Sequence, residues 1–160
     1  MQKIKPCLWF DDQIEEAVKF YVSVFPRAKI TTTSRYTDAG PSGTDKVLVM
    51  EFELDGQEFM GLNGGPLFKF SEAISFFVRC ADQAEVDYYW DNLTADGGEE
   101  SQCGWLKDKF GLSWQIVPDV LGVYLSDKDK AKAHRAMQAM LKMQKIDIAA
   151  LERAYTGQGA

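Results

Sequence analysis

The feature that most constrains the fold of this chain is a weak internal repeat. The tetrad Asp-Gln-x-Glu occurs at residues 12–15 and again at residues 82–85, 70 positions further along the chain. Each tetrad follows a strand-like run and precedes a segment in which apolar residues recur at helical spacing. The repeat therefore predicts two copies of one unit that starts with a strand and a helix.

Both tetrads are predicted to begin helices. The side chain of Asp12 or Asp82 can accept a hydrogen bond from a backbone N–H three residues later, and Glu15 or Glu85 then sits in the first turn, where the helix dipole favours negative charge. We interpret the tetrads as structural features rather than catalytic ones.

Three further strands are predicted after each helix, so that both halves read β-α-β-β-β. The first strands are placed at residues 4–10 and 73–78, and the later ones at residues 28–36, 46–54 and 57–62 and at residues 99–104, 105–109 and 112–117. Asp55-Gly56 and Phe110-Gly111 supply the last turn of each half. The first half is longer by 15 residues, which a turn-rich loop at residues 37–44 and its flanks account for.

The predicted organisation is one domain followed by a helical tail. The single domain, residues 1–160, comprises a first module at 1–66, a second module at 67–122 and a tail at 123–160. In the tail, a helix is predicted from Asp127 to about Met143 with Ser126 as its cap, and a shorter helix after Asp147.

Composition excludes several classes of partner. A formal net charge of −6 and a pI near 4.8 would repel a phosphate backbone, so we expect no nucleic-acid partner. No apolar run approaches the length of a membrane span, and the first residues lack the apolar stretch of a signal peptide. Three cysteines without CxxC spacing read as reduced thiols, so we expect a cytoplasmic protein.

Several segments of the chain resemble a known family. They lie at residues 6–10, 15–17, 20–21, 62–66, 68–70, 103–108 and 114–118. Together they resemble the PhnB-like branch of the vicinal oxygen chelate superfamily, which includes glyoxalases, bleomycin-resistance proteins and dioxygenases. The resemblance implies an α+β fold in which two tandem βαβββ modules form a cup, and a homodimer that completes its cups by pairing modules across subunits.

The same branch often carries the label 3-demethylubiquinone-9 3-methyltransferase. Methyl transfer from S-adenosylmethionine usually relies on a glycine-rich turn that leads from a strand into a helix. Residues 62–66 contain two glycines, but Pro66 and the Phe-rich segment after it do not read as the start of a helix. The residues give the methyltransferase label no support.

The resemblance also implies where a metal would be held, on the first and last strands of each module. The corresponding residues here are Lys5, Met60, Ser75 and Gln115. Typical members place His and Glu at these positions. Only Gln115 offers a comparable donor, and the single histidine, His134, falls in the tail. We therefore predict no metal and no cofactor; the alternative is a metal-dependent lyase or dioxygenase that uses Gln115, a carboxylate such as Glu58, and water.

Strand alternation predicts which side chains line the cup, because residues two apart share a face. The predicted lining is Lys5, Cys7, Trp9, Glu58, Met60, Leu62, Ser75, Phe77, Arg79, Ser113, Gln115 and Val117, and the face beneath the helices is Ile4, Leu8, Phe10, Phe59, Ile74, Phe76, Val78 and Trp114. The candidate ligand-binding residues are Cys7, Trp9, Met60, Asn63, Ser75, Phe77, Arg79 and Gln115.

This lining is mainly apolar with a few polar groups, which favours a hydrophobic, aromatic or carboxylate-bearing small molecule. Arg79 either pairs with a ligand carboxylate or extends into solvent, and Trp9 is either lining or core. Cys7 is an inert thiol unless Lys5 lowers its pKa. Residues 63–66 form either a plain turn or one that offers N–H groups to a ligand. An interaction module whose cup is filled by its own Trp9, Met60 and Phe77 is the remaining hypothesis.

Overall fold

The computed structural model describes residues 2–37 and 45–158, which form two βαβββ units followed by helices. The first unit contains β1 (Cys7–Phe10), α1 (Ile14–Val24), β2 (Ala28–Arg35), β3 (Val47–Leu54) and β4 (Gln57–Asn63). The second contains β5 (Phe76–Cys80), α2 (Gln83–Thr94), β6 (Glu99–Glu100), β7 (Trp105–Lys107) and β8 (Ser113–Pro118). The tail contains α3 (Asp119–Leu125), α4 (Lys130–Met140) and α5 (Ile148–Thr156).

The two sheets have the same topology. Their strand orders are β1-β4-β3-β2 and β5-β8-β7-β6. In both, the first strand pairs in parallel with the last, and the remaining pairs are antiparallel. The predicted α+β fold of two tandem βαβββ modules is therefore confirmed. The division between the compact units falls between Phe70 and Ser71, and the tail belongs to the second unit.

In the first unit, α1 covers one face of its sheet with a stripe of buried side chains. Ile14, Ala17, Val18, Tyr21 and Val24 recur at the helical spacing, and Leu8, Phe10, Met50, Phe52 and Phe59 are buried on the strands. Phe52 stacks on Tyr21 with 6.2 Å between ring centroids and on Phe59 with 5.3 Å. Burial of each such ring contributes about 2 kcal/mol.

In the second unit, the corresponding core surrounds one buried carboxylate. Trp90 and Leu93 of α2 are buried, as are Leu106 and Trp114 of the sheet. Asp108, only 2% exposed, accepts hydrogen bonds from Trp114 Nε1 at 2.9 Å and from the backbone N–H groups of Phe110 (2.9 Å) and Leu112 (3.1 Å). This carboxylate therefore holds the β7–β8 turn to the core.

The strand boundaries differ from the prediction at several points. The strand predicted at residues 4–10 begins only at Cys7, and the one predicted at residues 73–78 is shifted to Phe76–Cys80. Ile4 and Ile74 precede these strands and are 87% and 70% exposed, so their placement beneath the helices is wrong. The prediction is confirmed for Leu8, Phe10, Phe59 and Trp114, which are all buried.

Other boundaries are also corrected. The strand predicted at residues 99–104 contains only Glu99–Glu100, because Trp105 N–H bonds back to Gln102 and turns the chain. The loop predicted at residues 37–44 lies outside the described residues except for Thr37.

Within the second unit, the tail packs against the βαβββ part through a small hydrophobic core and through hydrogen bonds. Leu121, Ala136, Ile146 and Leu151 form a buried cluster to which Val117 at the end of β8 adds. The N–H groups of Cys103 and Gly104 donate to the carbonyls of Met143 and Gln144, both at 2.8 Å, and Gln83 of α2 bonds the backbone of Ile146 and Ile148.

The sequence prediction for the tail was partly wrong. The helix predicted from Asp127 to Met143 spans Lys130–Met140, and its cap is Asp129 rather than Ser126. Helix α3 was not predicted. The shorter helix after Asp147 is confirmed as α5. Among the residues that the structure describes, none of the helices combines the length and hydropathy that a bilayer-spanning segment needs.

Only one of the two tetrads caps a helix. The side chain of Asp82 accepts from Glu85 N–H at 2.9 Å, and the Glu85 carboxylate accepts from the N–H of Ala81, the residue before the cap, at 2.7 Å. Asp12 makes no cap and instead pairs with Lys46 at 3.0 Å. The capping prediction for Asp12 is wrong because Asn63, at the end of β4, supplies the acceptor for Ile14 N–H.

We expect Asp82→Ala to lower the free energy of unfolding by about 1 kcal/mol, the usual cost of losing an N-cap. Asp12→Ala is the matched control, and it should cost about 0.5 kcal/mol or less because an exposed ion pair contributes little. Urea denaturation followed by circular dichroism measures both. Equal costs for the two variants would contradict the assignment of Asp82 as the only cap of the pair.

Candidate functional site

In the first unit, the face of the sheet opposite α1 carries three of the candidate residues. The parallel register places Cys7 beside Met60 and Trp9 beside Leu62. Leu8 and Phe10, which alternate with them, are buried. Cys7, Trp9 and Met60 therefore share the open face, as the alternation predicted.

Trp9 packs tightly against the turn that follows β4. Its Nε1 donates to the carbonyl of Gly65 at 2.8 Å, and its ring contacts Phe68 edge-on with 5.0 Å between centroids. A Cβ added to Gly64 would lie 2.3 Å from this ring, so only glycine leaves room for it. Trp9 is half-buried, and its polar atom is used within the fold.

The turn at residues 63–66 does not offer its amide groups to a ligand. The N–H groups of Gly64 and Gly65 donate to the carbonyls of Phe10 and Asp11 at 2.9 and 3.1 Å. Asn63 is 6% exposed; its Oδ1 accepts from Ile14 N–H at 3.1 Å and its Nδ2 donates to Val47 O at 3.0 Å. The geometry therefore supports the plain turn and gives the Asn63 side chain a structural role, while its predicted contact with a ligand stays a prediction.

Cys7 is not activated as a nucleophile. Lys5, the one neighbouring residue considered able to lower its pKa, is paired with Glu51 at 2.9 Å, and partial burial raises the pKa of the Cys7 thiol. Nearby, Glu53 pairs with Lys29 at 3.2 Å. Glu51 and Glu53 are thus held in ion pairs with lysine, whereas Glu58 accepts from the backbone N–H of Gln2 at 3.4 Å.

The cysteines should differ sharply in reactivity. Cys7 is exposed, whereas Cys80 is buried and its burial raises its pKa to about 12. Because the thiolate is the reactive form, Cys80 should resist iodoacetamide at pH 8 in the folded protein while Cys7 is alkylated first. Peptide mass spectrometry of timed samples measures this. Alkylation of Cys80 at the rate of Cys7 would contradict the burial described for β5.

The second sheet presents a more continuous open face. Phe77 of β5, Gln115 of β8 and Trp105 of β7 occupy neighbouring register positions. Phe77 is 57% exposed although it lies within a strand. Gln115 Nε2 donates to Ser75 Oγ at 2.8 Å, and no hydrogen bond to Gln115 Oε1 occurs among the described residues. The structure therefore brings Ser75, Phe77 and Gln115 together.

Ser113 departs from the prediction that it lines the cup. It is 1% exposed, and its hydroxyl has no hydrogen-bond partner among the described residues. Its neighbours on the same strand face, Gln115 and Val117, remain partly accessible. The accessible part of β8 is therefore its second half.

Arg79 lies at the edge of this face with a partner that the sequence did not reveal. Its Nε donates to Asp119 Oδ1 at 2.8 Å, and Asp119 raises the pKa of the guanidinium. Its side chain is nevertheless 76% exposed. Beside it, Phe77, Val117, Leu121 and Leu125 line a mainly apolar groove of about 370 Å³.

The groove was missed because α3 was not predicted. The sequence feature that could have indicated α3 is Pro118-Asp119, since proline and aspartate are common at the start of helices. A run rich in apolar residues follows this pair up to Leu125. The feature is easily overlooked because α3 begins directly after β8, with no loop between the two elements.

The residues implied for a metal do not form a metal site. Lys5 is paired with Glu51, Gln115 bonds Ser75, and Met60 lies on the first sheet beside Cys7. Across residues 2–37 and 45–158, no group of three or more His, Cys, Asp or Glu side chains is placed to hold an ion. A divalent cation prefers carboxylate and imidazole ligands, and this set lacks them.

Comparison with known proteins gives a consistent family assignment. Residues 2–117 match the family model described as 3-demethylubiquinone-9 3-methyltransferase. A search of curated proteins gave no significant match. The match ends at residue 117, so the three tail helices lie outside it.

Several solved structures are also similar to this chain. The chain is 36% identical to a putative 3-demethylubiquinone-9 3-methyltransferase, PhnB protein, from Bacillus cereus, over 73% of this chain and 99% of that one, with a TM-score of 0.67. Protein PA1353 from Pseudomonas aeruginosa is 17% identical, over 74% and 98%, with a TM-score of 0.60. The fosfomycin resistance protein FosX from Listeria monocytogenes is 18% identical, over 71% and 91%, with a TM-score of 0.51. The last two similarities concern the fold alone.

Proposed function

Because this chain belongs to the family described as 3-demethylubiquinone-9 3-methyltransferase and has the glyoxalase-like fold of a PhnB protein, we propose that it binds a small hydrophobic, aromatic or carboxylate-bearing metabolite. The proposed site is the open face of the second sheet, around Phe77 and Gln115. No protein-held metal or cofactor takes part.

The observation that carries this proposal is the exposure of Phe77 in the middle of a strand. A phenylalanine that is 57% exposed there leaves a large apolar area in water. Burying such a side chain is worth about 2 kcal/mol, so a ligand that covers it gains binding energy. The Gln115–Ser75 pair supplies a polar group beside it, which can fix the orientation of a mostly apolar molecule.

The methyltransferase description is less well supported as an activity. In nucleotide-binding doubly wound folds, a glycine-rich turn opens a helix between parallel strands. Here the glycines after β4 lead into turns rather than a helix, and the next element in chain order is β5. Each sheet is mixed rather than parallel and doubly wound. The architecture therefore favours the binding function over methyl transfer.

We also propose that the protein is a cytoplasmic homodimer. The free thiols of Cys7, Cys80 and Cys103 suit a reducing compartment. Sedimentation velocity at micromolar concentration should give the mass of two chains, and a monomer at all concentrations would overturn this part of the proposal.

The binding function is tested by equilibrium dialysis against naphthalene-1-acetate in the presence of EDTA. We expect saturable binding at one site per chain, and Phe77→Ala should weaken it about tenfold, since the loss of an apolar contact of this size costs 1.4 kcal/mol or more. Tyr88→Ala, which removes an aromatic ring that is 42% exposed on α2, is the control and should leave binding unchanged. No saturable binding, or equal loss in both variants, would overturn the proposal and favour a self-filled interaction module.

A further inference from the structure

We propose that the C-terminal segment beyond the family match forms one wall of the ligand groove, and that Arg79, held by Asp119, selects ligands that carry a carboxylate. This inference rests on the proposed function and assigns its ligand class: a monocarboxylate with an apolar body. It concerns the part of the chain after residue 117, where the family match ends.

The walls of the groove come from both the second sheet and the tail. Phe77 and Val117 come from the sheet, whereas Leu121 and Leu125 come from α3. The volume of about 370 Å³ falls within the range of small-molecule pockets, roughly 300–1,000 Å³. Without α3, the sheet residues would offer a flat surface, so the tail converts this edge of the sheet into a groove.

The ion pair at the rim of the groove holds Arg79 through one nitrogen atom. Arg79 contacts Asp119 through Nε, and neither terminal nitrogen has a hydrogen bond to another described residue. A guanidinium fixed at Nε still presents its two terminal nitrogens, which match the two oxygens of a carboxylate. Asp119 thus orients Arg79 as a positioning residue while the apolar body of the ligand lies along the groove.

The net charge of the chain affects how an anionic ligand can be held. The chain carries a formal net charge of −6, so its overall field disfavours an anion. A carboxylate ligand therefore depends on local attraction to Arg79. Because Arg79 is largely exposed, this attraction should weaken at high salt.

Three probes with the same ring system test the ligand class by equilibrium dialysis. Naphthalene-1-acetate should bind about fivefold more tightly than the neutral naphthalene-1-acetamide and than 1-naphthylmethylamine, the discrimination expected of an exposed charge-assisted pair. Arg79→Gln should remove the preference for the acetate, so that acetate and acetamide bind about equally. Equal binding of acetate and acetamide, or tightest binding of the amine, would overturn the carboxylate assignment while the proposed function stands. Absence of binding by all three would overturn the proposed function itself.

The wall formed by α3 is tested with two substitutions on that helix. A side chain at Gly122 would enter open space at the groove, since an added Cβ meets no atom within 4 Å. Gly122→Phe should therefore fill the groove and weaken binding of all three probes about tenfold or more. Val123→Phe, at a neighbouring residue that is 65% exposed, is the matched control and should have no effect.

Two outcomes would overturn the role of α3. Unchanged binding in Gly122→Phe would show that the groove is not the site. A change of the sedimenting mass in Gly122→Phe but not in Val123→Phe, without any probe binding to the parent protein, would show that a second copy of the chain occupies the groove. A circular dichroism melt of each variant establishes that it is folded.

Discussion

Asp108→Ala is expected to lower the free energy of unfolding by about 3–5 kcal/mol, because three N–H donors lose a buried acceptor at once. The donors are Trp114 Nε1 and the backbone groups of Phe110 and Leu112. The cost is high because Asp108 is 2% exposed, so water cannot replace the carboxylate without disrupting the core. Urea denaturation monitored by tryptophan fluorescence measures the effect.

The control for this prediction is Asp91→Ala. Asp91 is exposed on α2 and pairs with Lys145, which keeps Asp87 as a second partner at 3.1 Å. Its loss should cost about 0.5 kcal/mol or less. If Asp108→Ala were as mild as Asp91→Ala, the buried carboxylate would not hold the β7–β8 turn.

A second large effect is expected at Gly104. This residue has φ of 84°, and an added Cβ would lie 2.8 Å from the carbonyl oxygen of Ile116 and 3.3 Å from Ile146 Cγ1. Gly104→Ala should therefore cost about 3 kcal/mol or more, since the positive φ disfavours alanine and the contact forces β8 or the tail to move. Its effect should extend to the tail, whose Gln144 accepts from Gly104 N–H.

Gly111 provides a control with the same backbone conformation. Its φ is also 84°, but an added Cβ would meet nothing within 4 Å. Gly111→Ala should therefore cost only the conformational term, about 1 kcal/mol. Urea denaturation of the two variants isolates the steric part of the cost, and equal destabilisation would show that the contact between Gly104 and Ile116 is not as close as described.

The architecture was predictable because the repeat and the turn residues carry strong local signals. Asp55 and Gly56 both have positive φ, which the Asp-Gly pair favours, and they connect β3 to β4 as expected. Leu8, Phe10, Phe59 and Trp114 were assigned to the buried face by alternation alone. Such signals act within a few residues and do not require knowledge of the tertiary structure.

The errors arose where a distant residue decided the outcome. Asp12 and Asp82 occupy equivalent positions in the sequence, yet Asn63, 49 residues from Ile14, takes the capping role in the first unit. The burial of the same side chain between α1 and Val47 cannot be read from the residues adjacent to it in the sequence. Likewise, the partner of Arg79 lies 40 residues away in a helix that directly continues β8.

We propose that this chain binds its ligand without a metal, although its sequence resembles a superfamily whose typical members place His and Glu at the metal-holding positions. Calorimetric titration of protein purified without chelator or affinity tag, using manganese, zinc, nickel and anaerobic ferrous iron, tests it most directly. We expect no stoichiometric binding at micromolar concentration, because the available donors are Gln115 and Ser75 rather than a set of imidazoles and carboxylates. Binding of one ion per chain that is lost in Gln115→Ala would contradict the claim and restore the metal-dependent lyase or dioxygenase.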